Sequence, residues 1–298
     1  MILNPQRTRH IGLVILLLPS LFMIFSFYPI SDNTQAGAAG DWDLNYHYDM
    51  GAPITIADIK DNLSGLTYHP DSDHLFAVLN NPEEIIELSK QGKIIRRIAL
   101  NGFIDTESID YLGNGLFVVS EERRHRLVFF YIDSTTKVID YANVDHIPLN
   151  WASDENKGME GVAWSARYGF FVLQEQPPKL VHHTPHDAEP LLDASRLNDS
   201  LPDEVLDYAG ISMLQAGEEY LLVLSDESHK LHALNLQGQP VSKLSLTKGL
   251  FNLWPLMEQP EGVAVDKDGN IFIVGEPNQM LTLTRKTRLA QIPDKPRS

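Results

Sequence analysis

A short phrase recurs five times in this chain, a polar or small residue followed by another small one at the head of an apolar strand. The copies are Leu63-Ser64-Gly65-Leu66-Thr67, Thr106-Glu107-Ser108-Ile109-Asp110, Met159-Glu160-Gly161-Val162-Ala163, Tyr208-Ala209-Gly210-Ile211-Ser212 and Pro260-Glu261-Gly262-Val263-Ala264. The small residues at 65, 108, 161, 210 and 262 are spaced by 43, 53, 49 and 52. A period near fifty residues marks stacked supersecondary units, none of which can bury its apolar face alone.

Each copy continues through a turn into a second strand rich in β-branched and aromatic residues, at 75–79, 116–119, 170–173, 220–224 and 271–274. Third strands such as 127–131 and 230–236 alternate in the manner of half-buried elements, and fourth strands follow at 94–100 and 241–246. Four antiparallel strands per repeat, with no helical period between them, is the build of a propeller blade. The expected fold is therefore all-β, a five-bladed β-propeller. Only 36 residues follow Gly262, enough for three strands. The strand-like stretch 46–59 is expected to become the outer strand of that last blade, closing the ring and removing a sheet edge. A six-bladed ring, the alternative, needs a whole extra blade from the same residues.

The first thirty residues are a different object. Arg7, Arg9 and His10 precede Ile11 to Ile30, twenty residues without a charge. At about 1.5 Å per residue they match a bilayer core of about 30 Å. Residues 1–30 are thus read as one N-terminal transmembrane helix, 31–44 as a polar tether and 45–298 as the propeller. The flanking positive charges place the propeller outside, on the periplasmic side of the inner membrane. Release to the periplasm after cleavage near Ala38, in the small-residue run Ala36-Gly37-Ala38, is the rival reading.

The chain has no cysteine, which excludes disulfides, thiol nucleophiles and zinc–thiolate sites. Its formal charge is −16, and the surface this implies repels nucleic acid and favours cations or basic partners.

Aligning the repeats places Ser64, Glu107, Glu160, Ala209 and Glu261 in one column, just before the first strand of each blade. A second column after the second strand holds Asn81, Glu121, Glu175, Asp226 and Glu276. The columns differ by 17, 14, 15, 17 and 15 residues, the length of one hairpin, so both belong at the same end of the molecule. First strands line the central channel, which makes that end the channel mouth. Carboxylates gathered so closely either take up protons or share a cation. Hard oxygen donors in this number suit Ca²⁺ better than Mg²⁺, and the columns contain no paired histidines for zinc or copper. Glu107, Glu160 and Glu261 are the leading metal ligands, with Glu121 and Glu175 beside them. The other reading of the same residues is structural, as acceptors that lock neighbouring blades through backbone N–H groups.

The runs Asn62-Leu63-Ser64-Gly65-Leu66-Thr67-Tyr68, Asp105-Thr106-Glu107-Ser108-Ile109-Asp110-Tyr111, Lys157-Gly158-Met159-Glu160-Gly161-Val162-Ala163 and Gln259-Pro260-Glu261-Gly262-Val263-Ala264-Val265 resemble the SdiA-regulated family over about residues 45–290. The resemblance implies a five-bladed propeller distantly related to NHL repeats, an N-terminal membrane segment and a calcium site. Ala209 departs from the acidic pattern, so a symmetric ring of ligands is not expected.

Other motifs carry less. His182-His183-Thr184-Pro185-His186 reads as an exposed turn, Asp266-Lys267-Asp268-Gly269-Asn270 as a hairpin turn, and Glu121-Glu122-Arg123-Arg124-His125-Arg126 as a charged loop. Two functions remain open: a binding module that recognises a protein or small ligand at a calcium-fixed mouth, and a calcium-dependent hydrolase of the phytase or lactonase type. A hydrolase needs a second group to handle the proton, and the columns offer none.

Overall fold

The computed structural model describes residues 42–149, 158–174, 179–183, 207–236, 238–249 and 254–286. The expected membrane segment and most of the tether lie outside these residues. Among the described residues, no helix is long and apolar enough to cross a membrane.

Five antiparallel sheets follow one another along the chain. The first blade runs outward through Leu63–His69, His74–Asn80, Glu83–Leu88 and Ile94–Asn101, and the second through Thr106–Gly113, Leu116–Glu121, Arg126–Tyr131 and Asp145–Pro148. Met159–Ser165, Gly169–Gln174 and Lys179–His183 form the described part of the third. Gly210–Gln215, Glu219–Ser225, Lys230–Asn235 and Pro240–Ser245 form the fourth. The fifth contains Gln259–Val265, Ile271–Glu276 and Gln279–Arg285, and Tyr48–Met50 and Ile54–Thr55 from the other end of the chain pair with its third strand. The N-terminal segment therefore closes the ring, and the expected five blades are all present.

The apolar pattern follows from this stacking. A second strand is covered by a neighbouring blade on each face, so its side chains are buried in both directions, as in His74–Asn80 and Gly169–Gln174. Successive residues then serve opposite junctions. Ile271 and Ile273 pack toward the fourth blade, while Phe272 and Val274 pack against Leu63 and Leu66 of the first. The hydrophobic interior is divided in this way into clusters at all five junctions. Outer strands lose one neighbour and alternate, as Ile94–Asn101 does.

At the axis the inner strands meet one another directly, each next to the following one and the fifth next to the first. This contact is the reason for the small residues of the repeat. A Cβ on Gly65 would lie 2.5 Å from Ser108 Cα, one on Gly210 2.6 Å from Glu261 O, and one on Gly262 2.7 Å from Ser64 O. Side-chain hydrogen bonds reinforce the ring further along the strands. The buried Asp110 carboxylate accepts from Thr67 Oγ1 at 2.7 Å and from Trp164 N at 2.6 Å, clipping three successive inner strands together. At the closing junction Lys90 of the first blade reaches Asp266 of the fifth at 3.2 Å. Asp266 also accepts from the backbone of Asp268 and Asn270, so the Asp266–Asn270 motif is the turn it was read to be.

One departure from regular blades stands out. After its third strand the second blade sends Val138–Asp140 to pair in parallel with the outer strand of the first, then returns to add Asp145–Pro148 to itself. Nothing in the repeat period announces this strap.

Replacing Gly262 by alanine is expected to lower stability by about 1–3 kcal/mol, because the obstructing atoms are backbone and cannot rotate away. Chemical denaturation measures this; an unchanged midpoint would mean that the inner strands have room to part.

Candidate metal centre at the channel mouth

The ladders between first and second strands show how the acidic column is aimed. Thr106 pairs with Glu121 and Ser108 with Ser120, which leaves Glu107 as the extra residue of a β-bulge. Glu160 is skipped in the same way between Met159 and Gly161, and Glu261 between Pro260 and Gly262. In the first blade the irregularity falls between Leu63 and Leu66, at Ser64 and Gly65. A bulge kinks the strand and turns its unpaired residue out of the usual alternation. The repeated Glu-Gly is thus a bulge residue facing the axis, followed by a residue small enough for the neighbouring backbone.

The result is a pocket of about 190 Å³ at the mouth. Its walls include the whole first column, Ser64, Glu107, Glu160, Ala209 and Glu261, together with Asp226 and Glu276 of the second. Asp207, Tyr208 and Gln259 complete the lining. Six carboxylates thus face one small space, and none of its lining residues is a lysine, arginine or histidine.

Burial and mutual repulsion raise the proton affinity of these groups. Glu261 is pushed up to about 8, first by burial and then by the charges of Asp226, Glu276, Glu107 and Asp207. Burial also holds Glu107 above the ordinary carboxylate range, with Asp105 and Glu276 adding to the effect. Glu276 is raised by burial and by Asp61. Glu107 is in addition an inter-blade acceptor: Asn80 Nδ2 donates to one oxygen at 2.8 Å and Ser64 Oγ to the other at 3.0 Å. Glu107 thus locks neighbouring blades, through side-chain donors rather than backbone N–H groups. On the second-blade side, carboxylate oxygens of Asp105, Glu107 and Glu122 lie within 4.8 Å of one another, a spacing a metal ion can bridge.

Two more of the residues singled out from sequence, Glu121 and Asn81, lie elsewhere. Glu121 is buried against its own loop, its Oε1 accepting from Ile104 N at 2.9 Å and from Arg124 Nη1 at 2.8 Å, and it does not line the pocket. Asn81 lines a separate cavity near Asp58 and Arg97, while its neighbour Asn80 reaches Glu107. Glu175 lies outside the described residues. Sequence alignment missed Asp207, which stands two residues before Ala209 and gives the fourth blade a carboxylate at the mouth. Its carboxylate accepts from Ser225 Oγ and from Glu227 N.

The donor set fits a hard divalent cation, since every polar lining side chain offers oxygen and six carboxylates face the space without a basic side chain in the lining.

Fold and mouth together define a five-bladed propeller with an acidic axial pocket. A family model described as SdiA-regulated matches residues 38–284, and the chain belongs to that family. Among solved structures the chain is similar to a catalytically inactive virginiamycin B lyase from Staphylococcus aureus with quinupristin, at 10% identity and a TM-score of 0.48, covering 80% of this chain and 100% of that one. It is also similar to a luciferin-regenerating enzyme at 11% identity and 0.47, covering 79% and 95%. A PQQ-bound aldose sugar dehydrogenase from Streptomyces coelicolor gives 12% and 0.46, covering 80% and 98%.

The raised carboxyl of Glu261 fixes the sign of a pH effect. Folded protein holds that proton up to about pH 8, whereas the unfolded chain releases it near the ordinary glutamate value of 4.5. Stability of the metal-free protein is therefore expected to rise as pH falls from 8 toward 4.5. Asp110, raised by burial to about 6, adds a smaller contribution of the same sign. Thermal unfolding in chelator across this range tests the expectation, and Glu261→Gln should flatten most of the slope.

Proposed function

We propose that this protein is a membrane-anchored binding module of the cell envelope, with Ca²⁺ at the channel mouth fixing a surface that recognises a protein or small ligand. The observation that carries the reading is the pocket of six carboxylates with no basic side chain in its lining. Glu107, Glu160 and Glu261 would hold the ion, and carboxylates from the fourth and fifth blades would complete the shell. When bound, the ion neutralises the mouth and leaves the bulged strands a fixed geometry. The apolar segment Ile11–Ile30 supports attachment to the inner membrane.

A calcium-dependent hydrolase is the second reading, and one feature favours it. His229 Nδ1 is buried without a hydrogen bond and stands 3.9 Å from Oδ1 of Asp226, which lines the pocket. A histidine beside a carboxylate at the edge of a metal site is a group able to move a proton.

Calcium added to chelator-stripped full-length protein, at about a hundred times its dissociation constant, is expected to stabilise it by about 2.7 kcal/mol. That corresponds to a rise of about 5–10 °C in melting temperature for a domain of this size. Glu107→Gln and Glu261→Gln should abolish the rise, and absence of any calcium effect in the wild type would remove the metal from the reading. Because binding displaces the Glu261 proton, affinity should weaken as pH falls below about 8. Calcium-dependent turnover of ester, lactone or phosphoester substrates, lost in His229→Gln, would replace the binding module by the hydrolase.

A further inference from the structure

A second cavity, of about 300 Å³, opens between the first and second blades. His69 lines it at the end of the inner strand whose second residue, Ser64, lines the mouth. Five residues of extended chain separate the two, about 17 Å, so this cavity is distinct from the metal centre and independent of the reading above.

Its walls are apolar: Phe76, Ile95, Phe117 and Ile132. The polar groups among them are arranged to donate. Ser72 N and Ser72 Oγ both lie on His69 Nδ1, at 3.3 and 2.8 Å, which makes that nitrogen the acceptor and leaves the ring proton on Nε2. Nε2 has no hydrogen-bond partner among the described residues, and the ring is held by stacking on Phe117 and edge contact with Tyr111. Arg96 spends Nε on Glu87 and Nη1 on the carbonyls of Asp133 and Thr136, so Nη2 remains. Of the two carboxylates lining the cavity, Glu87 has both oxygens engaged and Asp133 only Oδ1. Glu87 is held by Arg96 and by His74 at 2.6 Å, and Asp133 accepts from Thr135 and Thr136 of its own turn.

In a chain of net charge −16, this is a pocket with apolar walls and two donors to spare, and its one carboxylate without an ion pair, Asp133, is exposed and turned by Oδ1 onto its own loop. We propose that it binds a small aromatic monocarboxylate, with the ring between the phenylalanine and isoleucine walls and the carboxylate on His69 Nε2 and Arg96 Nη2. The volume lies at the lower end of small-molecule sites and admits one ring rather than a peptide. Burial keeps His69 neutral at pH 7, so its role is that of a fixed N–H donor.

The test uses the full-length protein in chelator, with benzoate as the probe, followed by ligand-observed NMR and by the His69 ring resonances. Benzoate at millimolar concentration is expected to bind at one site and shift those resonances, with benzyl alcohol weaker and benzylamine not bound. Removing one charge-assisted donor in His69→Phe, which keeps the aromatic stack, should weaken benzoate about tenfold or more. Ser134→Phe, an exposed position on the cavity lining, should block it without touching the core. No benzoate binding, or binding unchanged in both variants, would overturn the proposal. Binding that appears only when calcium replaces the chelator would overturn it too, because it would place the probe at the mouth.

Discussion

The whole molecule depends on backbone contact between five inner strands at the axis. A ring of five sheets leaves little room at its centre, and Gly65, Gly210 and Gly262 are the places where one strand's main chain takes the volume a side chain would need. Everything farther out follows from that closeness. The second strands become fully covered, the apolar interior splits into five junctions, and alternation appears only toward the rim.

The same closeness gives the mouth its chemistry. Because the strand heads converge, any acidic residue placed there meets the others, and the bulges at Glu107, Glu160 and Glu261 turn three of them inward at once. Such a gathering opposes folding unless the charge is relieved by protons, by hydrogen bonds or by a cation. Glu107 uses the second device, with Ser64 and Asn80 donating across the blade junction. Glu261 shows the first, its proton held to about pH 8. A divalent ion, under the function proposed above, would supply the third.

The fold was legible in the sequence because its strongest constraint, a small residue at each strand head, recurs at a readable period. The closing strand was legible for a related reason: a last repeat too short for four strands, and an unassigned strand before the first. The site was legible only in part. Spacing placed Glu107, Glu160 and Glu261 at one end, but a bulge is a matter of hydrogen-bond register and leaves no periodic trace. The second column was harder, since a shift of one residue decides whether Asn80 or Asn81 reaches the axis. Glu121 has the right spacing, yet the adjacent Arg124 draws it into its own loop. Asp207 was hidden because it stands outside the column, in the one blade where the column carries alanine. The strap at Val138–Asp140 is an insertion between strands, and a repeat alignment counts it as loop length.

The closure of the last blade also orders events in time. Tyr48 lies opposite Arg285, so the first strand among the described residues has its partner in the last of them, and its pairing is the most non-local in the sheet. Non-local pairing of this kind slows folding, because the chain must close a very long loop before the contact returns any free energy. Until the fifth blade is complete the ring has two open edges, and the mouth has no fixed circumference. The acidic pocket at the axis is therefore a late product of folding, complete only once Tyr48–Met50 has met the strand that ends at Arg285.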